Sequence, residues 1–282
     1  MRSYLSKTAP AMLMRNLSHF VAFLLLVSAS SLSMAADRPN IVLILADDLG
    51  IGSLNSYGAD EAHIQTPNID RLAKEGRRFT DVNTPSSVCS PTRYGLLTGR
   101  YDWRTDQKHG VLNTTDPLHI DVSRPTIASL LKSAGYRTAA IGKWHLGYGT
   151  ERHDFRKPLT PGPLDIGFDY HFAVPQNHGD AAGVYVRNRE VAGLRSDRMV
   201  PAGTSPYGRE YMGIDAPQRV DENVMDELTT DAIQWLERQS DDAPFFLYFA
   251  PVAIHFPYTP SDETEGTSGT GLYGDWIHEL DL

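Results

Sequence analysis

Apolar positions along this chain fall into two alternating kinds of segment, short continuous runs and helically spaced sets. The stretch Asn40 to Ala46 is an almost unbroken apolar run rich in branched residues, closed by Asp47-Asp48-Leu49-Gly50, and it reads as a buried central strand. Thr66-Pro67-Asn68 then opens a helix with proline in its first turn, Ile69, Leu72 and Ala73 on one face, and Gly76 as its stop. Pro125 to Ala134 repeats this logic with Ile127, Leu130, Leu131 and Ala134 at helical spacing, and Gly135 leads into a strand from Tyr136 to Ile141. A longer helix presents Val220, Val224, Leu228, Ala232, Trp235 and Leu236 on its apolar face, before the wholly apolar strand Phe245 to Ala250. Buried strands alternating with amphipathic helices predict an α/β domain with a mainly parallel sheet flanked by helices. Between Glu151 and Gln218 the pattern is weak and rich in Pro, Gly and charge, which predicts long pocket-shaping loops with little regular structure. Tyr273, Trp276, Ile277 and Leu280 fall at i, i+3, i+4 and i+7, so a helix is expected to begin there and to be cut short at Leu282, with little chain for its apolar face to pack against.

The first 36 residues follow a different rule. Arg2, Lys7 and Arg15 appear without any acid, then the apolar run Phe20 to Val27, then small residues ending Ser33-Met34-Ala35-Ala36. This is the pattern of a secretory signal peptide, too short to remain as a stable membrane anchor, with cleavage expected after Ala35 or Ala36 and export to the periplasm or medium. The chain as a whole, 41% hydrophobic and 22% charged, has the balance of an ordinary globular protein. Losing those three basic residues and no acid takes the net charge from −9 to −12. So acidic a protein is no nucleic-acid binder, because phosphate backbones are held by clustered Lys and Arg, and any anionic substrate must meet locally concentrated positive charge. Cys89 is the single cysteine, which excludes disulfides within one chain and leaves a thiol that is either buried or chemically used.

Two segments carry chemistry. Asp47 and Asp48 sit at the carboxyl end of the first strand, where ligands gather in open α/β sheets, and the adjacent carboxylates repel unless solvated or bridged by a hard cation. In Ser87-Val88-Cys89-Ser90-Pro91-Thr92-Arg93, Pro91 marks a helix start, which puts Cys89 at a helix N-terminus that favours an anion, with Arg93 one turn along. Ser, Pro, Thr and Arg around Cys89 argue against a plain core cysteine. Cys89-x-Pro91-x-Arg93 followed by Leu97-Thr98-Gly99 resembles the signature of the type I, formylglycine-dependent sulfatases of the alkaline phosphatase superfamily. Gly135-Tyr136-Arg137-Thr138 with Gly142-Lys143-Trp144-His145 is similar to the family's second signature. The resemblance extends through Thr66-Pro67-Asn68-Ile69-Asp70, Gly167-Phe168-Asp169 and the Phe245 to Pro260 block.

That resemblance implies an arylsulfatase-like hydrolase with an alkaline phosphatase-like fold, acting on a small-molecule or carbohydrate sulfate ester. It implies that a maturation enzyme converts Cys89 to Cα-formylglycine, and that Asp47, Asp48 and residue 89 hold Ca²⁺, or Mg²⁺ in its place. Arg93 is implied to hold the formylglycine hydrate, Lys143 to bind sulfate oxygens, His145 to hydrogen-bond the formylglycine hydroxyl, and His255 to contact sulfate and protonate the leaving alcohol. Asn177 and His178 fall where relatives often carry further substrate contacts. Relatives complete the metal site with a later Asp-Asn or Asp-Gln pair, a second Lys and a C-terminal subdomain. By that comparison residues 37 to 282 are expected to be the N-terminal part of the catalytic domain, truncated at its C-terminus, poorly folded and inactive alone. Two other readings stay open at this stage: a phosphonate or phosphate monoester hydrolase of the same superfamily, and a non-catalytic remnant.

Overall fold

A computed structural model describes residues 38–106, 110–204 and 210–282, and the expected signal peptide lies outside the described residues. Residues Asn40–Leu282 form one compact unit. Its main sheet has six strands. β1 (Ile41–Ile44), β2 (Arg137–Lys143), β3 (Tyr170–Val174) and β8 (Phe245–Ala250) run parallel in the order β1-β8-β2-β3. The short β4 (Val186–Arg187) and β5 (Glu190–Val191) add an antiparallel edge next to β3. A separate two-stranded ribbon is formed by β6 (Met199–Thr204) and β7 (Glu210–Ile214). The expected α/β architecture with a mainly parallel sheet is therefore the one observed.

Side-chain alternation along the strands builds a core on each face of this sheet. In β8, Phe246, Tyr248 and Ala250 join one apolar cluster while Leu247 joins the other, and in β2 Ala140 faces the first and Ala139 and Ile141 the second. The first cluster is covered by α2 (Cys89–Thr98) through Tyr94 and Leu97 and by α3 (Ile127–Ser133) through Ala128. The second is covered by α4 (Val224–Glu237) and α5 (Leu272–Asp281). Three layers result, helices on both faces of one sheet, as parallel strands require.

Several sequence expectations change in detail. Among the described residues β1 is an edge strand rather than a central one, since β8 alone pairs with it, and Val42 and Ile44 are half exposed. Within Glu151 to Gln218 the chain supplies β3, a full member of the main sheet, as well as four short strands, so the segment is far from loop alone. Val220 precedes α4 and is exposed, while Val224, Leu228, Ala232 and Trp235 form the buried face as expected. Leu130 and Leu72 also point to solvent, at 60% and 61% exposure. The helix carrying Leu72, α1 (Pro67–Glu75), buries no residue fully; it docks by its N-terminus, where Asp281 accepts from the backbone N–H groups of Asn68 and Ile69 at 2.9 and 2.8 Å. Nor does the apolar face of α5 lack a partner. Trp276 and Ile277 are fully buried, with Tyr273 and Leu280 packed against the same cluster.

The family-like motifs have physical roles in this frame. Thr138 donates from its hydroxyl to the Gly167 carbonyl (2.8 Å) and from its amide to Asp169 (3.0 Å), tying β2 to the turn before β3. Gly142 has φ of 114°, and a Cβ there would lie 2.0 Å from the Ala250 carbonyl oxygen, so only glycine lets β2 and β8 close up beside the site.

Candidate active site

Each sequence-predicted site residue lies at or just beyond the carboxyl end of a parallel strand, or on the helix facing those ends. Asp47 and Asp48 follow β1, Lys143 ends β2 with His145 two residues on, Asn177 and His178 follow β3, and His255 follows β8. The loops after β1 and β8 are laced together, since Asp47 N–H donates to the Ala253 carbonyl (2.9 Å) and Ile254 N–H to the Asp47 carbonyl (2.6 Å). Asp48 and His145 both hold positive φ, 61° and 53°, a conformation that non-glycine residues adopt at some expense and that gathers at functional sites.

Cys89 is the first residue of α2 and faces Asp47 and Lys143. Lys143 Nζ donates to Asp47 Oδ2 at 2.5 Å and lies 3.2 Å from Cys89 Sγ, which is itself 3.8 Å from Asp47 Oδ1. From one turn along α2, Arg93 Nη2 donates to Asp47 Oδ1 at 3.1 Å and its Nη1 to the Lys143 carbonyl at 2.7 Å. Asp47, Arg93 and Lys143 are all buried. Burial alone would raise the Asp47 carboxyl, but Arg93 and Lys143 outweigh it and hold the group below its ordinary 3.8. Two cations on one buried carboxylate leave local positive charge, as an anionic substrate in an acidic protein requires. A pocket of about 520 Å³ opens over this cluster, lined by Asp47, Asp48, Ser86, Val88, Cys89 and Arg93.

The histidines divide by environment. His145 is buried and its pKa falls to about 3, through desolvation first and the neighbouring Lys143 second. Its Nε2 donates to the Leu112 carbonyl (2.9 Å), which fixes the neutral tautomer and leaves Nδ1 a buried acceptor without a partner. His255 is partly exposed, donates from Nδ1 to the Phe256 carbonyl (2.5 Å), and turns Nε2 toward the Asp48 carboxylate at 3.9 Å. His178 is buried against Trp276, with ring centroids 4.9 Å apart and that of His255 6.4 Å away; burial takes its pKa down to about 4. Asn177 Oδ1 is a buried acceptor without a partner, like His178 Nδ1.

Among the expected metal ligands, Asp47 and Cys89 come together with His255, one donor atom from each lying within 4.8 Å of the others. Asp48 borders this group rather than joining it, with its side chain 54% exposed. A thiol suits a hard divalent cation poorly, whereas an aldehyde hydrate at the same position would offer oxygen beside two carboxylates, so the donor set would fit a hard divalent cation if residue 89 carried oxygen.

Sequence reasoning missed Tyr248, whose hydroxyl lies 3.4 Å from Arg93 Nη1 on the buried side of the site. It also missed Arg219, which is buried with Asp180 in a 2.9 Å ion pair and donates to the carbonyls of His178 (2.6 Å) and Asn177 (3.3 Å). Neither stands in a recognisable motif; only the three-dimensional fold brings them to the site.

With this geometry in view, comparison with known proteins is specific. The Sulfatase family model matches residues 39–281. The chain is 36% identical over 279 residues to an N-acetylgalactosamine-6-O-sulfatase of Bacteroides thetaiotaomicron, covering 87% of this chain and 54% of that protein. It is 35% identical over 257 residues to arylsulfatase A of Bos taurus, covering 88% of this chain and 47% of the relative. A solved structure from work on glycosaminoglycan metabolism by Bacteroides thetaiotaomicron superposes with a TM-score of 0.79 at 34% identity, covering 87% of this chain and 57% of that one. The chain thus spans about half the length of the curated relatives it matches.

Proposed function

Because this chain belongs to the sulfatase family of the alkaline phosphatase superfamily, we propose that it hydrolyses sulfate monoesters of carbohydrates, with residue 89 as the nucleophile after oxidation of Cys89 to formylglycine. The observation that carries this reading is Cys89 at the head of α2 with its sulfur 3.2 Å from the buried ammonium of Lys143. Support for a carbohydrate comes from the N-acetylgalactosamine-6-O-sulfatase relative, and the sulfatase names of the relatives favour sulfate over phosphate or phosphonate esters.

A hydrated aldehyde at position 89 supplies two hydroxyls, one to displace the alcohol from sulfur and one whose deprotonation expels sulfate. Around it, Lys143 meets a sulfate oxygen and Arg93 braces both Asp47 and the β2 terminus. His145, kept neutral by burial, offers Nδ1 as a hydrogen-bond acceptor for a hydroxyl on residue 89. His255, partly exposed beside Asp48, gives its proton to the departing alcohol. His178, whose ring centroid lies 6.4 Å from that of His255, and its chain neighbour Asn177 would contact the sugar. Asp47, Asp48 and residue 89 would hold Ca²⁺, which polarises the sulfate when bound, with Mg²⁺ as the alternative. A formylglycine-generating enzyme is the implied maturation partner. Export is inferred from residues 1–36; among the described residues no helix is long and apolar enough to cross a membrane.

The test is chemical. Expressed in a host with a maturation system, the Cys89 peptide should carry an aldehyde that reacts with a hydrazide probe, and the protein should hydrolyse 4-nitrophenyl sulfate in preference to 4-nitrophenyl phosphate. A free thiol as the sole species in that host, or phosphate as the better substrate, defeats the reading.

A further inference from the structure

Just beyond α2 the chain makes a single 3-10 turn, Asp102–Arg104, that places two large aromatic rings in solvent. Tyr101 is 54% and Trp103 62% exposed, an arrangement that buries neither ring and so has no role in the core. Their rings stack 18° from parallel at a centroid separation of 5.7 Å. That separation is wider than face-on contact, so the rings are offset and much of each remains uncovered. The turn that carries them is anchored: between the two rings, Asp102 points inward and its carboxylate is 2.6 Å from His119 Nε2, with the His119 ring packed 4.8 Å from that of Tyr94 on α2. The aromatic pair is thereby held rigidly relative to the helix that begins at Cys89.

A second hollow of about 250 Å³ lies against Trp103, bounded by Pro85, Pro91, Ser86 and Val88. Ser86 and Val88 also line the pocket over Cys89, so the two hollows share a wall. The second is small for a drug-sized ligand and suits one ring. The Arg104 guanidinium lies 5.9 Å from the Trp103 ring centroid, which adds a cation beside the aromatic surface.

We propose that Tyr101 and Trp103 form a stacking platform for a pyranose ring of an anionic saccharide, adjoining the Cys89 pocket, so that the protein binds the sugar of a sulfated saccharide as well as its sulfate group. This rests on the sulfatase reading above. In a galacto-configured sugar the axial O4 leaves C3–H, C4–H and C5–H on one face, an apolar patch that an exposed aromatic ring covers, while its hydroxyl edge stays in water. Arg104 meets the negative charge of a sulfate or carboxylate on the same saccharide.

Saturation-transfer NMR on the full chain with the methyl glycoside of N-acetylgalactosamine 6-sulfate tests this without needing turnover. Transfer is expected to be strongest at H3, H4 and H5, to fall at least fivefold in Trp103→Ala and in Tyr101→Ala, and to be largely retained in Trp103→Phe, which keeps an aromatic face. Unchanged transfer in both alanine variants, or no transfer to those protons in the wild type, overturns the platform. Circular dichroism confirms that each variant is folded. Hydrolysis of 4-nitrophenyl sulfate by the matured wild type is measured alongside. Its absence with sugar contacts intact would count against the sulfatase reading while supporting the saccharide site.

Discussion

Lys143 Nζ and Asp47 Oδ2 are 2.5 Å apart in a pocket where neither side chain is more than 5% exposed. Removing one member of a buried pair leaves the other charge desolvated, a loss of roughly 3 kcal/mol or more. Arg93 remains on Asp47 and limits the damage, so Lys143→Met should destabilise by about 3 kcal/mol in a denaturant titration. Because Lys143 also faces Cys89, turnover of 4-nitrophenyl sulfate should fall by a factor of about 100 to 1,000. A variant of wild-type stability would show that the pair contributes nothing net.

Arg219 makes a second buried structure of this kind. It pairs with Asp180 and donates to the carbonyls of Val184, Asn177 and His178, so four loop residues depend on one guanidinium. An ammonium cannot reproduce that planar fork. Arg219→Lys is therefore expected to lose roughly 2 to 3 kcal/mol and to raise KM for a sulfated sugar more than it lowers kcat, since Asn177 and His178 shift while Cys89 and Lys143 do not. An equal fall in kcat would instead place Arg219 in the chemistry.

What could be read in advance follows from how locally each feature is encoded. The sheet's carboxyl ends were legible because Asp47-Asp48 closes an apolar run and Gly142-Lys143-Trp144-His145 ends a strand, so residue type and position coincide. Cys89 and Arg93 were legible as a helix turn because Pro91 marks its start. β3 was hidden by His171, which breaks an otherwise apolar strand and becomes acceptable only through the Tyr148 hydroxyl and the Ala140 carbonyl. The edge position of β1 was illegible because an apolar run reads the same whether one neighbouring strand pairs with it or two. The Asp180–Arg219 pair joins positions 39 apart with no periodicity to announce it.

His171 makes a prediction about pH. It lies buried in β3, and desolvation lowers its pKa from 6.5 to about 3. The neutral tautomer satisfies both nitrogens, Nδ1–H donating to the Ala140 carbonyl (3.1 Å) and Nε2 accepting from the Tyr148 hydroxyl (3.0 Å). Between pH 3 and 6.5 the unfolded chain binds a proton here that the folded chain does not, so stability rises with pH across that window. This contribution is complete above 6.5 and is lost as pH falls toward 3. His171→Phe should lower stability at pH 7 by leaving two polar groups unpaired, yet flatten the acid limb by up to roughly 1.4 kcal/mol per pH unit. Parallel stability curves for wild type and variant between pH 4 and 6 would show that His171 is protonated in the fold.

Calcium should distinguish the matured protein from its cysteine precursor. Asp47 and Asp48 offer hard oxygen donors, but the Cys89 sulfur at 3.8 Å from Asp47 is a soft one, and Lys143 and Arg93 already occupy both oxygens of Asp47. A cation must compete with those two side chains, and it gains an oxygen ligand from residue 89 only after conversion to the hydrated aldehyde. Ligand binding to the folded state alone stabilises by about 2.7 kcal/mol at one hundred times Kd, a melting shift of roughly 5 to 10 °C for a chain of this size. Added Ca²⁺ should therefore raise the melting temperature of the converted protein by several degrees, reversibly with chelator, and that of the unconverted protein much less. Asp47→Asn should remove the shift in both forms, and Asp48→Asn should reduce it. A calcium response of equal size in converted and unconverted protein would show that residue 89 is not a ligand, and one that survives Asp47→Asn would move the metal site elsewhere.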